Sequence, residues 1–597
     1  MTEENKYAHK LVFVIIIGLF LLLKLININT AFDGPHAQKY ATYVEPALNM
    51  AEYDNPLKNF HQYRYNPFSE NNSLQNRNFS HLPLFEWPLY ILFEVFGVSN
   101  IEAITHAYTS ILGVILLLLM HAFFKVYFSQ EFCLSFITIV ATSMIFNLAT
   151  KITVLDTISY IFMFLSLLSF NKFIFNNKVT GIFNSGLFFG LGMATKISLF
   201  LWYAPIVLSI CILLLDKKIY EKISVFFLVH LIALTVFILC RYSIFVLPTK
   251  LVSGMSILAV SILIYLLTYS LSLNLFNKIS KLVSNFFSSF FKGILTVVIV
   301  SLLSVYIFIV LNLSHYSVNF LTDETLIFNF KMYFEILYDL MSYLTPLLTL
   351  TAIVGLIMYM VLPTKNRNQN TILLAFLFGS VIYLVMASKV IYFHIYYNLI
   401  FLFSAALLSS YLFDRIFLNI DSRKKSFSIL ILLLIGFGLV LQVNTLSFLA
   451  KGESKENFHR IVDYLEKEMN EDEVWIGDAR LSPLVMFSDR PRIARSFDLD
   501  HEDFYELKNK IGLKETLKNY GIRFLVTKSN FKTGWGDFKT ILQSDKPVID
   551  EKFRNEYIER DLEGNNISKN LTTFIVPLRK KIGNIYIYDL YQLEQIN

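Results

Sequence analysis

Charged side chains are scarce over the first three quarters of this chain, so those placed at the ends of its apolar runs are the ones to question. Asp33, Lys151, Asp156, Lys196, Arg241 and Lys389, with His394, occupy such places. A charge at membrane depth costs several kcal/mol, so each asks for a reason. Lysine and arginine suit a phosphate. A carboxylate suits the orientation or deprotonation of a nucleophile. Acid and base together, half-buried at one interface, fit a site for a phosphate-bearing substrate. Plainer roles exist beside that one. Lys151 and Lys389 fit snorkelling anchors, Lys196 an anchor at a helix end, Asp156 a helix cap, and His394, Tyr396 and Tyr397 an aromatic belt. Asp33 directly follows the first apolar run, where its plainer role is a solvated loop acid.

The elements that must position these residues are set by composition. Of 597 residues, 55% are hydrophobic and 16% charged, with mean hydropathy +0.52. A soluble domain carries about 25% charged residues. The charges are also unevenly spread. Residues 451–597 hold 24 Lys/Arg and 26 Asp/Glu, while residues 1–450 hold 28 and 20. The chain therefore reads as a transmembrane domain, 1–450, followed by a soluble domain, 451–597. The net charge of +6 arises in the membrane part, which argues against a nucleic-acid partner. Cys133, Cys211 and Cys240 lie in apolar stretches without disulfide or metal-site spacing.

A spanning helix needs roughly 20 apolar residues. Thirteen spans are expected, at 11–28, 101–124, 132–149, 153–170, 181–197, 199–215, 223–245, 247–273, 293–313, 341–362, 371–388, 394–413 and 427–449. The first has no small-residue cleavage site after it, so it reads as a span and not a signal peptide. With the N-terminus inside, 17 of the 28 basic residues of this part fall in inward segments, and every inward loop carries at least one. The positive-inside rule favours that orientation and places the C-terminal domain outside. The outer loop 29–100 is long, acidic and aromatic, and a second, 314–340, carries His315, Asp323, Glu324, Glu335 and Asp339. A long loop at a membrane surface is usually functional, so chemistry is expected on the outer face.

Residues 451–597 read as a small α/β domain. Helical spacing covers Asn457–Asn470 and Glu502–Tyr520, and strands are expected at Val474–Gly477, Ile522–Thr527 and Asn584–Tyr591.

The order of motifs matches a family. Span one runs into Phe32-Asp33-Gly34-Pro35-His36 and a helical Tyr40–Met50. A proline-led amphipathic segment follows, Leu82-Pro83-Leu84-Phe85-Glu86-Trp87-Pro88. Then come Lys151…Leu155-Asp156 opening a span, Gly190-Leu191-Gly192-Met193-Ala194-Thr195-Lys196, His394-Ile395-Tyr396-Tyr397, and a soluble tail with Val474-Trp475-Ile476-Gly477-Asp478. In this order the chain resembles the C-type membrane glycosyltransferases, and within them glycosyltransferase family 39, the protein O-mannosyltransferase-like and aminoarabinose-transferase-like group.

The resemblance implies transfer of a sugar from a polyprenyl-phosphate donor to a hydroxyl of a glycolipid, surface glycan or protein on the outer face of a bacterial cytoplasmic (inner) membrane. It makes Asp33 the catalytic residue, a general base in an inverting displacement. It makes Lys151, Lys196 and Lys389 candidates for the phosphate, and places Glu86 against sugar or acceptor. His36, Asp156, His394, Tyr396 and Tyr397 complete the candidate substrate-binding set. Gly34 stands where many members carry a second acid, and Phe85-Glu86-Trp87-Pro88-Leu89 stands in place of a Lys-Pro-Pro-Leu run.

No cofactor is required by this reading and no metal ligand is assigned. A divalent metal is left open, with His61 and His81 as residues that could join Asp33. Two other classes compete. A lipid-linked sugar transporter should show internal repeats and mid-membrane charges or broken helices. A polysaccharide polymerase or ligase should carry its largest outer loop in the middle of the chain. Neither pattern is read here: the largest loop is the first.

Overall fold

The computed structural model describes residues 3–26, 38–52, 84–151, 155–176, 179–196, 330–364, 366–386, 395–418, 455–470, 510–527, most of 573–596 and shorter stretches between. The spans expected at 223–245, 247–273 and 293–313, and nearly all of 199–215 and 427–449, lie outside these residues. So do Cys211 and Cys240. The chain divides into two compact units, one of Met1–Ile26, Phe79–Phe85 and Ala107–Ala450, the other of Asn27–Asn78, Glu86–His106 and Lys451–Asn597.

The described part of the chain is mostly helical: α1 Glu3–Ile26, α2 Gln38–Glu52, α3 Glu86–Phe96, α4 Ile101–Phe124, α5 Gln130–Thr142, α6 Met144–Ala149, α7 Leu155–Asn176, α8 Val179–Thr195, α9 Phe330–Leu344, α10 Pro346–Val361, α11 Arg367–Met386 and α12 Leu399–Leu418. Among the described residues, Val98–Phe124 and Leu399–Ile416 are long and apolar enough to cross a membrane alone, and a third span arises if Tyr333–Leu344 and Pro346–Val361, bent by 107°, act together.

In the first unit, α1 has two distinct sides. Leu11, Val14, Ile15, Leu19, Leu22 and Leu25 are exposed, while His9, Ile16, Phe20 and Lys24 are buried. The buried side touches α4 and α6: Phe13 lies 4.4 Å from His121 and Phe20 5.5 Å from Phe146, centroid to centroid. Helices α10 and α12 approach so closely at Gly355 that a Cβ there would lie 2.1 Å from the Leu408 carbonyl oxygen. Small residues and hydroxyls are what hold helices together where lipid is as apolar as leucine. Accordingly, Thr351 and Ser409 hydroxyls lie 2.9 Å apart and those of Ser380 and Ser404 2.7 Å. Trp202, fully buried, packs edge-on to Tyr160 and Phe376.

Three expected elements differ from the sequence reading. The span 132–149 is broken at Ser143, whose ψ of 143° is extended. The break holds because its polar groups are met locally. Ser143 Oγ donates to the Val140 carbonyl, and Asn147 Nδ2 donates to the carbonyls of Ala141 (2.8 Å) and Ser143 (2.9 Å). Backbone groups freed at membrane depth need such partners. The helix expected from 341 starts instead at Phe330 and turns at Thr345, which has φ 71° and caps α10 ahead of Pro346. The helix expected over 502–520 is broken at Gly512, φ 84°, with Leu513–Asn519 forming α14 after it; residues 502–509 lie outside the described ones.

In the second unit, Lys455–Glu468 forms the helix α13 that precedes a five-stranded sheet. Its strands are β1 Val474–Gly477, β2 Arg492–Ile493, β3 Ile522–Thr527, β4 Leu578–Ile582 and β5 Ile585–Asp589, in the order β4-β5-β3-β1-β2. β1 runs parallel to β2 and β3, and the other two pairs are antiparallel. Phe458, Ile461, Val462 and Leu465 of α13 make one core with Trp475, Phe524, Val526 and Ile587. The period of 3.6 in the helix and the β-branched and aromatic residues in the strands are what bring these faces together.

Candidate active site

The first unit brings three of the expected site residues together. α7 and α8 form an antiparallel pair, so the first turn of α7 lies beside the end of α8. Asp156 sits in that first turn and Lys196 directly follows α8, its backbone N–H bonded to the Gly192 carbonyl. An acid at a helix N-terminus and a base at a C-terminus each complement the helix dipole. Their side chains meet: Lys196 Nζ is 2.5 Å from Asp156 Oδ1, with the side chains 13% and 2% exposed. The same ammonium lies 3.6 Å from the centroid of the Tyr397 ring, in the 3₁₀ turn Ile395–Asn398 that leads into α12. A cation so placed gains from the ring's negative face. Aspartate, lysine and tyrosine thus come from three separate elements.

Lys151 ends the turn after α6 and is buried. Its surroundings are tied to α7, since the Thr157 hydroxyl donates to the Ala149 carbonyl at 3.2 Å. Here the structure adds a residue the sequence reading passed over. Lys24, on the buried side of α1 and 8% exposed, donates from Nζ to the Asn147 carbonyl at 2.6 Å and lies 5.2 Å from the Phe20 ring centroid. Three lysines, Lys24, Lys151 and Lys196, therefore belong to one end of this helix set, with Asp156 among them. The signal for Lys24 was present: it is a lone charge inside the apolar run 11–28.

Glu86 is the first residue of α3, fully buried, in the second unit. Asp33, His36, Lys389 and His394, and also Arg241, His61 and His81, lie outside the described residues, as does the side chain of Tyr396. Cys133 is a buried free thiol. Among the described residues no three His, Cys, Asp or Glu side chains group as a metal site, and the Asp156 carboxylate is engaged by Lys196.

The family model described as dolichyl-phosphate-mannose-protein mannosyltransferase matches residues 80–241, the stretch that contains Glu86, Lys151, Asp156 and Lys196. Among solved structures, the archaeal oligosaccharyltransferase AglB of Archaeoglobus fulgidus, in complex with an inhibitory peptide and a dolichol-phosphate, is similar at TM-score 0.54 and 12% identity, over 88% of this chain and 70% of that one. ArnT of Cupriavidus metallidurans, bound to undecaprenyl phosphate, is similar at TM-score 0.47 and 12% identity, over 86% of this chain and 92% of its own. No curated protein matches the sequence. The likeness to AglB is one of fold, and the family match supplies the local sequence pattern. Together they show a polytopic, mostly helical membrane fold like that of AglB, with a local match to the mannosyltransferase family model over residues 80–241.

Proposed function

We propose that this chain transfers a sugar from a polyprenyl-phosphate donor to a hydroxyl acceptor, a glycolipid, surface glycan or protein, at the outer face of a bacterial inner membrane. The observation that carries the donor assignment is the gathering of Lys24, Lys151 and Lys196 at one end of the helices, the first two buried and the third 13% exposed, with Asp156 the carboxylate paired to one of them. Lysines gathered at one place in a low-dielectric site suit an anion. A lipid phosphate arriving through the bilayer is such an anion.

Asp33 is the general base. As the acceptor oxygen attacks the anomeric carbon, its proton passes to the Asp33 carboxylate. The bond from that carbon to the phosphate oxygen breaks, its electron pair leaves with the lipid phosphate, and the configuration inverts. The lysines act on the charge that grows on the leaving phosphate, where pre-set cations in a low-dielectric site do most good. Glu86, His36, Lys389, His394, Tyr396 and Tyr397 complete the substrate-binding set, with no step passing through a metal.

The donor assignment is tested by binding. In bilayer nanodiscs the protein should take up undecaprenyl phosphate saturably, and Lys151→Met should weaken that uptake at least tenfold without lowering the melting temperature by more than a few degrees. Equal binding in the variant would remove the phosphate assignment. The reading also includes thirteen spans, an inside N-terminus and an extracytoplasmic α/β domain over 451–597. A periplasmically active reporter fused after Asn597 should therefore be active and a cytoplasmic one silent; the reverse result would invert the site with the topology.

A further inference from the structure

Helix α9 has three distinct sides. Phe334, Leu337, Tyr338 and Met341 are exposed, with Phe334 at 71% and Tyr338 at 75%. Their spacing of i, i+3, i+4 and i+7 makes them one continuous stripe. Ile336 and Leu344 are buried on a second side. At 100° per residue, Glu335, Asp339 and the exposed Ser342 fall on a third, between the other two. A helix with one packed side needs only one other environment if water surrounds it. This one presents two, an apolar stripe and an acidic flank, and two contiguous aromatic residues left in water would be a costly patch.

The elbow that follows says what lies against the stripe. Thr345 adopts φ 71° and ψ 148°, its hydroxyl accepts from the Leu348 N–H, and Pro346 opens α10. Proline fixes that first turn and cannot continue the preceding helix through it. The result is a 107° bend between α9 and α10. α10 is apolar along its length, and its exposed side carries Leu350, Ile353, Ile357, Met360 and Val361, which in a membrane protein is surface for acyl chains. If α10 runs along the bilayer normal, α9 runs close to the bilayer plane. The stripe of α9 then continues the lipid-facing surface of α10 around the elbow. α9 also packs against α6, whose last residue precedes Lys151 by two positions, and whose Asn147 carbonyl holds Lys24.

We propose that α9 is an interfacial helix, seated by Phe334, Leu337, Tyr338 and Met341 in the lipid of the leaflet that borders the lysine end, with its acidic flank toward water. Amphipathic helices of this kind lie at the boundary between headgroups and acyl chains. That boundary is also the level of the lipid phosphates. α9 therefore fixes the depth at which Lys24 and Lys151 sit, and it does so whichever sugar is moved and whichever way the chain is oriented. The elbow is what allows this: a helix tied to the top of α10 by a rigid Thr-Pro joint cannot rise off the surface without moving α10.

The experiment is a depth scan in the full chain, with Cys133, Cys211 and Cys240 replaced by alanine. Single cysteines at positions 334, 337, 338, 341, 339 and 342 are spin-labelled after reconstitution into phosphatidylethanolamine–phosphatidylglycerol vesicles, and collision with oxygen is compared with collision with a water-soluble nickel chelate. Only variants in which a label at Ile353→Cys on α10 reports lipid are read. The expected result is an oxygen-dominated signal of one common depth at 334, 337, 338 and 341, and a nickel-dominated signal at 339 and 342. The proposal is overturned by nickel access at the stripe equal to that at 339, which means water. It is overturned by exclusion of both reagents from the stripe, which means another protein surface. It is overturned as well by a depth that increases steadily from 334 to 341, which means one bent span.

Discussion

Asp33→Asn is expected to lower transfer by at least a thousandfold while expression, membrane insertion and binding of polyprenyl phosphate stay near wild type. The magnitude follows from the role. Asparagine keeps the size and the hydrogen-bonding reach of the side chain but cannot take the acceptor's proton, and loss of a positioned base costs about 10²–10⁴-fold. The binding control matters because the lysines lie on other elements, so a variant that lost both transfer and binding would report a damaged fold and not a missing base. Measuring radiolabelled sugar transfer and undecaprenyl phosphate uptake on the same purified sample checks this directly. Full transfer by the variant would remove Asp33 from the mechanism and leave the phosphate assignment standing.

The second large effect is at Lys196. Lys196→Met removes a cation that serves two partners, Asp156 at 2.5 Å and the proposed phosphate. Loss of one pre-set charge at a developing anion costs about 10²–10³-fold in rate. Breaking a buried pair from one side also costs about 3–5 kcal/mol of stability, because the other charge is left uncompensated. The two losses separate in a double variant. Lys196→Met with Asp156→Asn leaves no unpaired charge, so thermal stability should return most of the way while transfer stays at least a hundredfold down. Recovery of transfer together with stability would make the pair a structural tie only. Lys218→Ala, on the opposite side in the expected topology, should leave both measurements within twofold of wild type.

Much of the helical frame was legible in the sequence because the elements begin and end on strong local signals. α4 runs from Ile101 to Phe124, the bounds expected from an apolar run with Glu102 at its head and Lys125 beyond its end. The strands Val474–Gly477 and Ile522–Thr527 also fall where expected, since short β-branched and aromatic runs between turn residues leave little choice. What was not legible depends on partners distant from the residue concerned. Nothing adjacent to Ser143 announces a break; the break is stable because Asn147 reaches back to two carbonyls and Lys24, more than a hundred positions away, takes a third. The elbow at Thr345 did carry a signal in the Thr-Pro dipeptide, but an average of hydropathy over 341–362 runs across it. For the site, Asp156 opens α7 and Lys196 follows α8, so two consecutive antiparallel helices bring them together, while Lys24 stood out as a lone charge but its partner lies more than a hundred positions away.

The break at Ser143 also bears on how the chain is made. α5 has 13 residues, about 20 Å of helix at 1.5 Å per residue, which is short of a bilayer core of roughly 30 Å. The segment after it holds Asn147, Thr150 and Lys151, which lipid rejects. Taken alone, it is a poor candidate for release from the insertion machinery into lipid. The Asn147 carbonyl takes a long hydrogen bond from the Thr150 hydroxyl (3.4 Å) and a short one from Lys24 of α1 (2.6 Å), a helix synthesised well before it, and Lys24 in turn has no cheap place in lipid on its own. Each segment thus supplies what the other lacks: Lys24 a donor, and α6 a carbonyl that holds its ammonium. A lysine of the first helix and a backbone carbonyl of the sixth thus complete one another across more than a hundred residues.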